Sequence, residues 1–335
     1  MTLGPQDLRT LDGLMMLLRS PEPWFTAASR PLERLNGTLH DLIAVSGNWY
    51  DLPHKAGVLA NEAHRRPTAT VLLAGGRNER LTPPEAVRIG GEPMLLQKEL
   101  RERFGIEAHR MVLWTGSRIT NHNLRFALHY VSMIHGFDRF AQPVRLQLVE
   151  EGFLLRRVAA ALRGILSNES PSGLSSIHFL PCGPRSFSGL VMWHIGAGLS
   201  MSHQSLPFAR CALPEPSIPS SPHDANGPTP HAQVAAHGGH ADLALALVLG
   251  EVERLISYAA PTSQLADNVR LPPPSINQSH PELVAAAATL RSRHHDMLAA
   301  GAAKLASPRE VFESGAAPTS RNGHQRRLAR SYSHG

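Results

Sequence analysis

Asp41-Leu42-Ile43-Ala44-Val45-Ser46-Gly47-Asn48 places four consecutive apolar residues between polar ones and stops at a Ser-Gly-Asn turn. A short apolar run without alternation is the pattern of a strand buried on both faces. Working outward, the pattern recurs with helical segments between. Residues 54–65 read as a helix, and Thr70-Val71-Leu72-Leu73 as a second strand ending at Gly75-Gly76. A polar loop runs to about Gly91, and residues 92–104 form a helix on Met94, Leu95 and Leu100. Met111-Val112-Leu113-Trp114 is a third strand, 120–135 a helix, 144–149 a fourth strand, 151–166 a helix and 177–180 a fifth strand. Five strands alternating with helices predict an α/β three-layer sandwich with a mostly parallel five-stranded sheet. Right-handed crossovers would gather the strand-to-helix loops at one edge, where ligands bind in such sheets. The loops concerned are those at Gly47, Gly75–Gly91, 115–120 and 150–152.

Beyond this core, at residues 36–200, the chain changes character. Residues 1–35 carry a helical segment on Leu8, Leu11, Leu14, Met15 and Leu18, broken by Pro21 and Pro23. Residues 201–238 read as a flexible insertion, because six prolines fall within 214–230 among Ser, Asn, Asp and Gly. Residues 239–310 return to helix, apolar over 243–258 and Ala-rich over 282–305, and are expected to pack on the core. Residues 311–335 read as a disordered basic tail.

Composition narrows the function classes. Of 335 residues 42% are hydrophobic and only 5% aromatic, so Leu, Val, Ile and Ala must build the core. Gly and Pro number 27 each, which leaves ample loop. Two cysteines, Cys182 and Cys211, cannot make a disulfide framework and point to a reducing, cytoplasmic setting. No apolar run reaches the length of a membrane span, and Leu14–Leu18 lacks the basic start of a signal segment. The net charge of +6 sits largely in Arg321, Arg326, Arg327 and Arg330 of the tail. No aromatic-interleaved basic patch or zinc-finger spacing accompanies it, so nucleic acid is not an expected partner.

Standard chemical motifs are absent: no phosphate-binding GxxxxGK[ST], no GxGxxG after the first strand, no GxSxG and no HExxH. His231, His237 and His240 are the closest histidine cluster, beside the insertion, and no metal site is expected of them. What remains lies in the loops. Asp51 either binds ribose hydroxyls or caps a helix, and Gly47-Asn48 lets backbone approach a ligand. Gly75-Gly76-Arg77 offers backbone N–H groups and a guanidinium to an anion, or is a turn. Glu92 favours the dipole at its helix start and can also face the cleft. Ser117, Thr120 and Asn123 are spaced by three, so Thr120 and Asn123 share a helix face one turn apart. They can bind a ligand or tie the loops together.

These residues, in this order, resemble the SanA/YdcF-like family (the superfamily of domain of unknown function 218), whose pattern runs strand, paired Gly, acidic helix start, strand and S-T-N-T-x-E-N. Gly75-Gly76, Glu92-Pro93 and Ser117, Thr120, Asn123 stand at these places. Gly47-Asn48, Asp51-Leu52, the double arginine Arg156-Arg157 and Gly250-Glu251-Val252-Glu253-Arg254-Leu255-Ile256-Ser257-Tyr258 are similar to the YdcF branch. Ile119 and His122 replace the family's Asn and Glu, Thr115 stands where an acid is common, and Leu154 stands where many relatives outside that branch carry His. The resemblance implies a Rossmann-like fold with a cleft at the strand ends, and S-adenosylmethionine as first candidate ligand.

Three functions follow as expectations. The first is binding of a nucleotide-like small molecule, with S-adenosylmethionine the possible cofactor and no metal, through Gly47, Asn48, Asp51, Gly75, Gly76, Arg77, Glu92, Ser117, Thr120, Asn123, Arg156 and Arg157. The second is catalysis on a phosphorylated or nucleotide substrate, with Arg77, Arg156 and Arg157 on anionic oxygens and Glu92 or His122 moving a proton. The third is a non-catalytic interaction protein that uses 201–238 and 316–335 to contact protein partners.

Overall fold

The computed structural model describes residues 3–21, 40–46, 52–76, 91–117, 120–137, 143–192, 238–258 and 276–306. The expectations for Gly47, Asn48, Asp51, Arg77, Ile119, His231 and His237, for the prolines of 214–230 and for the tail lie outside these residues. Strands β1 (His40–Ser46), β2 (Thr70–Ala74), β3 (Met111–Trp114), β4 (Val144–Glu151) and β5 (Leu174–Cys182) pair in the order β3-β2-β1-β4-β5. Every pairing is parallel. Helices α2 (Leu52–Arg65), α3 (Glu92–Phe104), α4 (Thr120–Phe137) and α5 (Leu155–Asn168) connect them.

The continuous apolar runs are explained by burial on both faces. Successive residues of a strand point to opposite sides. Ile43, Val45, Val71 and Leu73 pack with Ala56 and Leu59 of α2 and Leu96 and Leu100 of α3. Leu42, Ala44, Leu72, Leu146 and Leu148 pack with Leu124, Leu128 and Val131 of α4 and Leu162 of α5. This is a three-layer Rossmann-like sandwich. The strand order reverses between β1 and β4, the switch point at which the crevice of such sheets opens.

A third apolar cluster lies off the sheet. Helix α1 (Pro5–Arg19) buries Leu8, Leu11, Leu14, Met15 and Leu18 against α6 (Gly238–Tyr258) and against Phe153, Phe187 and Leu190. The short α7 (Ile276–Ser279), α8 (Pro281–Arg293) and α9 (His295–Ala306) complete this helical body. At Gly301 of α9 a Cβ would lie 2.1 Å from the carbonyl oxygen of Asp242, so only glycine lets α9 come this close to α6.

Strand five is longer than expected at both ends, Leu174–Cys182 against 177–180, and two further differences have a visible cause. Glu151 ends β4 and does not open the next helix; a single 3-10 turn, Gly152–Leu154, intervenes before α5. The segment 282–305, read as one helix, breaks at His294. Arg293 Nη1 stands 2.6 Å from Asp7 Oδ1, and His294 Nε2 stands 3.0 Å from Asp7 Oδ2. Successive residues in a straight helix point about 100° apart. Both reach one carboxylate because the axis turns between α8 and α9. Among the described residues no helix is long and apolar enough to cross a membrane, and Cys182 is buried and not in a disulfide.

Candidate functional site

At the carboxyl edge of the sheet the described residues that follow β2 and β3 are joined by backbone. Gly75 N–H donates to Trp114 O at 3.0 Å, and Ser117 N–H donates to Gly75 O at 3.1 Å. A Cβ on Gly76 would fall 1.6 Å from the carbonyl oxygen of Ser117, so the paired glycines are required for the approach of two backbones. The start of α3 closes on the same point. A Cβ on Gly75 would be 3.2 Å from Glu92 Oε2, and Gly91, at φ +115°, would set one 3.2 Å from Gly76 O. Gly75, Gly76, Glu92 and Ser117, separate in sequence, are therefore one cluster.

Polar side chains are concentrated and buried here. Glu92 is 7% exposed and Asn123 8%, with Ser117 and Asn121 also buried. Asn123 Oδ1 has no hydrogen-bond partner. An unsatisfied buried acceptor costs about 1–3 kcal/mol, and a ligand donor would recover that energy. Thr120 opens α4 one turn earlier, and His122 lies half-buried between them.

The double arginine is engaged within the protein. Arg157 Nε donates to Glu251 Oε2 at 2.6 Å, and its Nη1 donates to Thr120 Oγ1 at 3.1 Å. Arg156 is buried beside the start of α8. Burial, and then the charge of Arg156, hold the His280 imidazole below the usual histidine range. Arg157 thus joins the sandwich to the helical body.

The half of the edge over β4 and β5 is filled by groups that no motif announced. Lys55, on the apolar side of α2 with Ala56 and Leu59, is fully buried with Nζ 3.0 Å from Glu150 Oε1 and 2.9 Å from Glu151 Oε2. Burial alone would lower its pKa, but the two carboxylates, with a smaller contribution from Cys182, hold it well above the ordinary lysine range. Arg19, at the end of α1, donates to the carbonyls of Gly183 at 3.0 Å and Pro184 at 2.7 Å. It lies so close over Gly152 that a Cβ there would meet Arg19 Nη1 at 2.2 Å. Asp12 of the same helix accepts the N–H of Phe187 at 2.8 Å. These groups occupy the part of the edge over β4 and β5. The signal in the sequence was a lysine in the apolar stripe of α2 and two acids at the end of an apolar strand, a charge pattern that requires mutual burial.

Among the described residues no group of three or more His, Cys, Asp or Glu side chains is placed to hold a metal. No protein-family model matches the chain, and no curated protein matches it.

Proposed function

We propose that the chain binds a nucleotide-like small molecule at the carboxyl edge of β1, β2 and β3, as a YdcF-like protein of the cytoplasm, with S-adenosylmethionine the first ligand to test. The observation that carries the reading is the convergence of Gly75-Gly76, Glu92 and Ser117 at the ends of β2 and β3, with a buried, unpartnered acceptor, Asn123 Oδ1, in the first turn of the helix that follows β3. Buried acceptors at the end of a parallel sheet suit a ligand rich in donors. The adenine amine, ribose hydroxyls and ammonium group of an adenosyl amino acid provide these. The resemblance of the motifs to the YdcF branch supports the same ligand class, and the filled β4–β5 half narrows its location.

The test is a thermal-shift series with S-adenosylmethionine, its demethylated product, nucleotides and sugar phosphates. A ligand at 100 times its Kd stabilises the native state by about 2.7 kcal/mol. The expected result is a rise in Tm with an adenosyl compound that is lost in Asp51→Ala. Absence of any shift across the adenosyl compounds and nucleotides overturns the reading.

A further inference from the structure

Arg157 places a cation where helix geometry disfavours one. It lies in the first turn of α5 and reaches the first residue of α4, so its guanidinium stands at the positive ends of two helices. The charge that offsets it comes from outside the sandwich. Glu251 of α6 is 1% exposed and accepts from Arg157 Nε at 2.6 Å. Arg254, one turn along α6, donates to the same carboxylate. The other arm of Arg157 donates to Thr120 Oγ1. Thr120 follows Ser117 by three residues, and Ser117 is tied to Gly75, so the contact fixes α4 at the candidate site. An anionic ligand at Arg157 would have to displace a buried carboxylate.

We propose that Glu251 and Arg157 are positioning residues of the candidate site: Glu251 holds Arg157 across the two helix starts, and Arg157 holds Thr120, so the helical body sets where α4 begins. The consequence for ligand binding rests on the function proposed above. The consequence for the start of α4 rests on these contacts alone.

Hydrogen exchange on the full-length, ligand-free chain tests the second consequence. The amides of Leu124, Arg125 and Phe126 close the first hydrogen bonds of α4. Glu251→Gln should speed their exchange about tenfold while leaving Leu72 and Leu73 of the central sheet unchanged. Thr120→Val, which keeps both charges, should do the same. The double variant Glu251→Gln/Arg157→Met removes the Arg157 guanidinium together with the carboxylate that faced it and should regain Tm, yet keep fast exchange at 124–126. Recovery of slow exchange in the double variant, or no change in Glu251→Gln, overturns the proposal, because either outcome makes the ion pair a matter of stability only. Titration with S-adenosylmethionine forms a separate arm, in which all three variants should bind about 2- to 30-fold more weakly than wild type. Failure of the wild-type chain to bind this probe counts against the ligand reading and leaves the exchange result to decide the positioning role.

Discussion

Gly76 and Asn123 give the two sharpest tests of the edge. Gly76→Ala puts a methyl group into the Ser117 carbonyl. Overpacking of this kind costs about 1–3 kcal/mol, and it should part the β2 and β3 loops. Urea denaturation is expected to show the loss, and binding of S-adenosylmethionine should weaken with it. Asn123→Leu is expected to behave differently. It removes a buried acceptor that nothing satisfies, so thermal unfolding of the ligand-free protein should change by no more than about 1 kcal/mol, while binding falls. A variant equally weakened in both measurements would assign Asn123 to the fold. At this scale the sequence was legible where a residue type carries its own reason. Gly75 and Gly76 read as a strand-end loop, and the right-handed crossover gathers that loop with the one that holds Ser117 at one edge. The direction of their use was not legible. They serve a backbone-to-backbone approach that depends on a loop some 40 residues away, and a glycine pair looks the same in a turn, an anion nest and a crossing.

Among the elements, the buried Lys55–Glu150–Glu151 group ties α2 to the end of β4. Lys55→Met should destabilise the protein by about 3–5 kcal/mol, because two carboxylates are left buried without their cation. Adding Glu150→Gln and Glu151→Gln should recover much of that loss, and chemical denaturation of the single and triple variants distinguishes the two cases. Periodicity read most elements to within a few residues: 92–104 and 111–114 coincide with α3 and β3. The errors fell where a local rule met a distant partner. Glu151 was drawn into a helix because acids favour helix starts, but Lys55 holds it in the strand. The Ala-rich 282–305 reads as one helix because no proline interrupts it. It turns at His294, and the turn lets Arg293 and His294 both meet Asp7, from the other end of the chain.

Over the whole molecule, stability is expected to decline on the acid side in two stages. Burial first, then the charges of Arg145 and Arg66, push the His178 imidazole below its ordinary range. His280 is lowered by burial and Arg156. In the window between their folded values and the ordinary value of about 6.5, the unfolded chain binds protons that the folded chain does not. Stability therefore falls as pH drops through that window. Asp7 forms the second stage. Burial would raise its pKa, but the Gly4 N–H, His294 and Arg293 outweigh it and hold the carboxyl below its ordinary range. Its contribution is present above about pH 3.9 and is lost as pH falls through the lower folded value. Urea denaturation from pH 8 to pH 3 should show both stages. Asp7→Asn should lower stability at neutral pH and flatten the second stage, with no effect on the first.

The sequence by itself determined that this is a parallel α/β sheet, and that Gly75-Gly76 and Ser117 follow the ends of its strands. Continuous apolar runs of strand length are stable only when helices cover both faces, and right-handed crossovers leave one arrangement of the loops. Only the tertiary structure decided that the order is β3-β2-β1-β4-β5, that α1 closes the ends of β4 and β5, and that Arg157 answers to Glu251. These contacts join side chains 94 residues apart for Arg157 and Glu251, 95 for Lys55 and Glu150, and 287 for Asp7 and His294. A charge that will be buried against a distant partner looks, within its own segment, like a charge on a surface. Local periodicity records which face of an element is buried and carries no record of which element will cover it.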